Sequence, residues 1–206
     1  MSTAEKYDRI AEGFSEREYA DPAGYSERRA TVIVESAPGL LPGQSVLDLC
    51  CADGIMAQPL VRRGLRYEGV DLSERMIDVA RARNPGLPFV VSRCEEYEPD
   101  EPVDAVVCLR SFYQPPDRLA FFRRVAGYTR GKFVFDVLPR DFDTEPIVRD
   151  LREAGFSTVE LRPFFMPQRR RLPRVALPVV VGLEQSGPVA RLALRRFGTV
   201  FCVARV

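Results

Sequence analysis

Apolar residues recur along this chain with two periods. Near the start, Tyr7, Ile10, Ala11 and Phe14 follow one another at spacings of three and four, which places them on one face of a helix over Ala4–Ser15. Asp21-Pro22 is an N-cap followed by proline at the first helical position, and it opens a second helix toward Glu35. Pro38-Gly39 and Pro42-Gly43 end it. From Ser45 onward, short β-branched runs alternate with helical stretches. The pattern predicts strands at Ser45–Leu49, Tyr67–Asp71, Pro88–Ser92, Asp104–Leu109 and Lys132–Val137. It predicts helices from the turn after Gly54 to about Arg63, over Ser73–Arg83 with Ser73 as N-cap, over Asp117–Tyr128, and over Thr144–Ala154 with Gly155 as the stop. Phe156–Arg162 and Thr199–Arg205 bring the strands to seven. Such alternation implies a parallel sheet covered on both faces. Residues 163–198 are too irregular for an ordinary crossover, with Pro163, Pro167, Pro173, Pro178 and Pro188 among them. They read as an insertion that carries an apolar run, Val175–Leu183, and a helix over Pro188–Phe197.

Composition narrows the chemistry. With 206 residues, 46% hydrophobic and 29% charged, the chain is expected to fold as one domain. Its expected parts are a helical cap (1–40), a core (41–162), the insertion (163–198) and a final strand (199–206). No apolar run approaches the roughly 20 residues of a spanning helix, and the start lacks a secretory h-region. Five cysteines without a C-x-x-C pair suit a reduced, cytoplasmic chain. Histidine is absent, which removes imidazole bases, Ser-His-Asp and Cys-His pairs and imidazole metal ligands, so no metal is expected. The work is left to a cofactor, to carboxylates, Tyr or Arg, or to positioning. The net charge of +1 hides an asymmetry: residues 163–206 hold eight Arg against Glu184 alone, +7, leaving −6 elsewhere. This is either a solvated basic face or a site for an anionic partner such as a substrate carboxylate or phosphate, a lipid headgroup or nucleic acid.

In an open parallel sheet, ligands bind beyond the carboxyl ends of the strands where strand order reverses. The residues at those ends are Asp48–Gly54, Asp71, Arg93-Cys94 and Leu109–Tyr113. Asp71 ends the second strand 17 positions after Gly54, where a carboxylate can accept both hydroxyls of a ribose. The loop lacks G-x-G-x-x-G and G-x-x-x-x-G-K-[ST], which disfavours nicotinamide, flavin and nucleotide-hydrolase chemistry. A ribose-containing ligand without phosphates remains. Asp48 and Asp71 could each instead cap the helix that follows, and Cys50-Cys51 could be buried small residues or a redox pair.

Val46-Leu-Asp-Leu-Cys-Cys-Ala-Asp-Gly54, Gly69-Val-Asp-Leu-Ser-Glu-Arg-Met-Ile77 and Leu151-Arg-Glu-Ala-Gly-Phe156 resemble the class I S-adenosylmethionine-dependent methyltransferases. Tyr7-Asp-Arg-Ile-Ala-Glu-Gly-Phe14 resembles the cofactor-covering helix of their small-molecule branch. The likeness spans residues 5–162 and the last strand. It implies a Rossmann-like, seven-stranded, mostly parallel sheet with its last strand antiparallel, and S-adenosylmethionine as cofactor, leaving as S-adenosylhomocysteine. By position it implies that Asp48 and the backbone through Cys50, Ala52 and Gly54 line the methionine end, and that Asp71 binds the ribose. Leu72, Arg93 and Cys94 would flank the adenine. Leu109, Met76, Tyr7 and Phe14 would complete the cofactor site. One departure stands out. The family's loop usually reads D-x-G-x-G-x-G, whereas here Cys50 and Ala52 replace the first two glycines, adding Cβ atoms where backbone meets ligand.

Methyl transfer is an in-line displacement that needs a positioned nucleophile and exclusion of water. With histidine unavailable, Tyr113 and Arg110 are the candidate catalytic residues, with Asp136 nearby. The expected acceptor is an O or N atom of a small hydrophobic or anionic molecule, selected by the cap and the insertion. Peripheral contact with an anionic membrane is a further expectation, and the chain is expected as a monomer or homodimer. A non-catalytic cofactor binder and a nucleic-acid methyltransferase are the alternatives. Against the latter, Ser111-Phe-Tyr-Gln-Pro-Pro116 lacks the N/D-P-P-[YF] order, so no nucleic acid is expected as partner.

Overall fold

A computed structural model of the chain describes residues 2–187, 189–190 and 198–206. The β-branched runs become seven strands: β1 (Ser45–Leu49), β2 (Arg66–Asp71), β3 (Phe89–Val91), β4 (Val103–Cys108), β5 (Thr129–Val137), β6 (Thr158–Phe164) and β7 (Thr199–Arg205). They form one sheet in the order β3-β2-β1-β4-β5-β7-β6. The first five are parallel, and β7 runs antiparallel between β5 and β6, as expected. β1 lies between β2 and β4, and the chain leaves it first toward β2 and β3, then returns on its other side as β4.

Both faces of the sheet are covered along β1, β4, β5 and β7, which is why these strands read as apolar runs, while the edge strand β6 stays largely exposed. Val46, Val107, Val134 and Val203 face one layer, packed with α3 (Pro22–Glu35), α4 (Ala57–Val61) and α5 (Glu74–Arg83). Leu47, Val106, Phe133, Phe135 and Cys202 face the other, packed with α6 (Arg118–Tyr128) and α7 (Thr144–Glu153). Phenylalanines dominate the second layer. Phe133 lies 4.9 Å from Phe135, 5.9 Å from Phe122 and 6.0 Å from Phe156, ring centre to ring centre. Helix starts follow local chemistry: Asp21, Ser73 and Asp117 each accept a backbone N–H at an N-cap.

The structure departs from the sequence pattern in several places, one being β5, which begins at Thr129, three residues before the expected Lys132. The helix expected over Ala4–Ser15 is two helices, α1 (Thr3–Asp8) and α2 (Phe14–Glu18), because Gly13 takes φ +63° between them. The Arg17 guanidinium, bonded to the carbonyls of Ile10 and Glu12, satisfies the groups that the break exposes. α4 is shorter than expected, since the loop after β1 uses the chain as far as Met56 before the helix begins. β6 runs on to Phe164, two residues into the expected insertion. The apolar run beyond it is also helical, a 3₁₀ turn at Arg174–Ala176 leading into α8 (Leu177–Glu184). The helix expected over Pro188–Phe197 lies outside the described residues. Among those described, no helix is long and apolar enough to cross a membrane.

The insertion folds back on the cap. The Ala20 amide donates to the Gln168 carbonyl at 2.9 Å, and Arg171 Nε donates to the Ala20 carbonyl at 3.1 Å. Removing the centre of the phenylalanine layer leaves a void that close-packed neighbours cannot fill. Phe133→Ala is therefore expected to lower the unfolding free energy by about 3–5 kcal/mol, read from the urea midpoint at constant slope.

Candidate functional site

Because strand order reverses between β1 and β4, a crevice opens at their carboxyl ends. α1, α2 and the chain around Gln168 close it into a cavity of about 280 Å³. A second cavity of about 250 Å³ adjoins it, and Tyr7, Leu72, Tyr113 and Gln114 line both.

The loop after β1 forms one wall. Cys50, Ala52 and Gly54 all take left-handed backbone, at φ 60°, 48° and 70°. The path that glycines would take freely is thus followed by two residues with Cβ atoms, each costing about 1–2 kcal/mol. Bonds to neighbouring strands hold the path in place. The Cys51 amide donates to the Val70 carbonyl at 2.9 Å, and the Ala52 amide donates to Asp71 Oδ2 at 3.0 Å. At the far end, Asn84 Nδ2 donates to the Gly54 carbonyl at 3.1 Å. Gly54 has no room to change: a Cβ there would lie 2.8 Å from Asn84 Nδ2 and 2.9 Å from Ala80 Cβ.

Buried carboxylates surround this loop. Asp71, only 6% exposed, accepts from the Ala52 and Ser73 amides, one on each oxygen, both at 3.0 Å. Burial pushes its carboxyl above the ordinary value despite those two amides. Lone pairs remain on both oxygens for a vicinal diol in the cavity, the arrangement that a ribose needs. Asp48 accepts from the Tyr67 hydroxyl at 2.8 Å, and burial raises its carboxyl to about 7. Neither acid caps a helix, since Ser73 caps α5 and α4 has no side-chain cap. Asp53 is a third, which the sequence reading missed. It accepts from the Ser15 amide at 3.1 Å, the Ser15 hydroxyl at 2.7 Å and Arg83 at 3.0 Å, and so ties α2 to the loop. Two residues 38 positions apart leave no spacing signal.

The opposite wall comes from β4, β5 and α3. Arg110, just past β4, is also left-handed, at φ 63°. Its amide donates to Asp136 Oδ1 on β5. Asp136 Oδ2 accepts from Arg29 of α3 at 3.0 Å, and that guanidinium lies over the Tyr25 ring at 4.6 Å. Each Asp136 oxygen therefore already accepts one bond, and its charge is paired with Arg29. The Arg110 side chain donates to Gln168 Oε1 at 2.6 Å. Tyr113 is half exposed, stacked on Phe142 at 5.2 Å.

The first cavity thus brings together Tyr7, Phe14, Asp48, Cys50, Ala52, Asp71, Leu72, Leu109, Arg110 and Tyr113. Arg93 and Cys94 line the second, with Arg93 paired to Glu95. Gly54 and Met76 lie behind the wall, where Gly54 faces Ala80 and Phe89 and Met76 is fully buried. Arg29 and Gln168 line the first cavity without having been anticipated. All five thiols are free, and no metal-binding cluster occurs among the described residues.

Residues 46–131 match the family model described as "Methyltransferase domain". Among curated proteins, the chain is 31% identical over 121 residues to the ubiquinone biosynthesis O-methyltransferase of Aliivibrio fischeri, covering 55% of this chain and 51% of that protein. It is 33% identical over 150 residues to the trans-aconitate 2-methyltransferase of Rhizobium rhizogenes, covering 72% of this chain and 58% of that one. The chain thus spans little more than half the length of these relatives. The fold matches magnesium protoporphyrin IX methyltransferase from Synechocystis, solved with S-adenosylmethionine, at TM-score 0.63 and 18% identity over all of this chain and 84% of that one.

Two outcomes follow from the wall around Asp71. Ala52→Gly relieves left-handed strain and is expected to raise stability by about 1 kcal/mol, whereas Gly54→Ala is expected to lower it by about 1–3 kcal/mol in the same denaturant titration. Asp48 binds its proton more tightly folded than unfolded, so its contribution is lost as pH rises from 3.8 through about 7. Asp48→Asn, which can still accept from Tyr67, should melt higher than wild type at about pH 8 and level with it at about pH 4.

Proposed function

Residues 46–131 belong to the class I S-adenosylmethionine-dependent methyltransferases, and from that premise we propose that the protein transfers a methyl group to an O or N atom of a small hydrophobic or anionic molecule. The observation that carries the reading is the buried Asp71 carboxylate, pinned by two backbone amides at the wall of the strand-switch cavity. S-adenosylmethionine, when bound, supplies an electrophilic methyl group on a sulfonium. The residues present fit it. Asp71 accepts the ribose hydroxyls, Leu72, Arg93 and Cys94 flank the adenine, and Asp48 with the Cys50–Gly54 backbone and Leu109 lines the methionine end. Met76 supports this site from behind. Tyr7 and Phe14, edge to face at 6.4 Å, cover it and exclude water.

We assign Arg110 and Tyr113 to orienting the acceptor, Tyr113 through its hydroxyl. We take residues 1–206 as one catalytic unit, with the cap and the 163–198 insertion selecting the acceptor. The five free thiols favour a reducing, cytoplasmic setting. Two named relatives act in the same sense: one is an O-methyltransferase of ubiquinone biosynthesis, the other methylates trans-aconitate. The non-catalytic alternative, raised by Cys50 and Ala52, is disfavoured because both residues keep the left-handed backbone that glycines would supply.

Calorimetric titration tests the cofactor: wild type should bind S-adenosylmethionine and S-adenosylhomocysteine at micromolar concentrations, and Asp71→Ala should abolish both. No binding to folded wild-type protein would end the methyltransferase reading. Once an acceptor is in hand, Tyr113→Phe should lower turnover more than about tenfold with cofactor affinity unchanged. An unchanged rate removes Tyr113 from the mechanism.

A further inference from the structure

Taken on the methyltransferase reading, the carboxylates and guanidinium groups at the cavity can be paired off one by one, and the one lysine there, exposed Lys6, lies over the Tyr7 ring at 5.5 Å. Asp53 is engaged by Arg83 and Ser15, Asp136 by Arg29 and the Arg110 amide, and Glu18 by Arg169. Asp48 is held toward its neutral form by burial, and Asp71 belongs to the cofactor wall. Arg110 is different. It is partly buried and lines the cavity, yet no carboxylate pairs with its guanidinium among the described residues. Its side-chain partner is neutral, the Gln168 amide oxygen.

We propose that the acceptor carries a carboxylate, and that Arg110 binds it by exchanging its contact with Gln168. Three observations support this. First, Arg110 is positioned by the fold: its left-handed backbone is held by the Asp136 carboxylate, whose other oxygen is fixed by buried Arg29. Strain of this kind persists where the surroundings over-determine a conformation, and it concentrates at ligand clamps. Second, Arg29 lines the same cavity, its buried Nε–H has no acceptor among the described residues, and it shares with the Arg110 amide a single carboxylate, Asp136. Third, a guanidinium presents a planar fork that a carboxylate matches with two parallel hydrogen bonds, stronger than one bond to an amide oxygen. When Arg110 turns away, the Gln168 side chain keeps an anchor of its own, because its Nε2 donates to the Glu18 carbonyl at 3.3 Å.

The test uses the full chain saturated with S-adenosylhomocysteine, titrated calorimetrically with benzoate, 4-hydroxybenzoate, succinate and tricarballylate, each beside its amide. The tightest carboxylate should bind at least about tenfold better than its amide. Arg110→Gln should erase that ratio, and Arg110→Lys should keep part of it. Gln168→Glu, which supplies an internal carboxylate to Arg110, should weaken the carboxylate and leave the amide unchanged. It also serves as the test if Arg110→Gln fails to fold. The inference is overturned if no carboxylate is preferred, if the preference survives Arg110→Gln, or if inorganic phosphate displaces the carboxylate at equal concentration. Failure of S-adenosylhomocysteine to bind strikes the methyltransferase reading itself, and this inference with it. Bound S-adenosylhomocysteine without a carboxylate preference strikes this inference alone.

Discussion

A carboxylate taken out of water must find donors, and at the strand tips of this protein that requirement decides how distant segments meet. Four acids are buried there, and each is satisfied from a different part of the chain. Asp48 uses Tyr67 of β2, Asp71 uses the β1 loop and the start of α5, Asp53 uses Ser15 and Arg83, and Asp136 uses Arg29 and the Arg110 amide. Two of these sets reach across to the N-terminal cap. The cap therefore rests on the sheet through a few strong polar bonds and not through apolar area alone: α1 has no buried residue, and α2 has only Ser15. Elements held this way lie at the low-stability end of a fold, where parts that admit ligands are found.

The same requirement explains how the loop tolerates Cys50 and Ala52. Left-handed backbone is unfavourable for both, but abandoning it would strip the Ala52 amide from Asp71. A buried carboxylate without that donor would cost about as much as the strain saved, or more. Gly54 is under a different constraint. Its neighbours leave no space for a Cβ, so it is fixed by packing as well as by φ. That accounts for which of the three loop positions kept its glycine.

Much of the frame was legible in the residues. Strand positions, the Ser73 and Asp21 caps, and the bounds of β7 all follow from local chemistry that the structure reproduces. Asp71 was legible because the end of a parallel strand is a topological address. What local pattern cannot express is a partner chosen in three dimensions. Periodicity made Ala4–Ser15 one helix, since Gly13 alone does not forbid it; the turn is paid for by Ser15 reaching Asp53 and by Arg17 closing on the freed carbonyls. Arg29 reads as one more polar residue on α3 until Asp136, 107 positions away, draws it inward. Gln168 sits in a proline-rich stretch with no period at all, and only the fold-back of the insertion brings it to Arg110.

The basic C-terminal segment shows how part of a charge surplus goes into bonds within the fold. Eight arginines against one acid suggested an anion bound to that segment. Several of them have internal work instead: Arg169 donates to the Arg17 carbonyl and pairs with Glu18, Arg171 donates to the Ala20 carbonyl, and Arg205 donates to Thr158. These bonds fasten the insertion to the cap and β7 to β6. Among the described residues, the segment's contribution to the cavity is a neutral side chain, Gln168, while Arg110, whose guanidinium has no carboxylate partner there, comes from the core, just past β4. Part of the positive surplus therefore ties the roof down. Which guanidinium lacks a carboxylate is legible only by following each side chain to its partner in the fold.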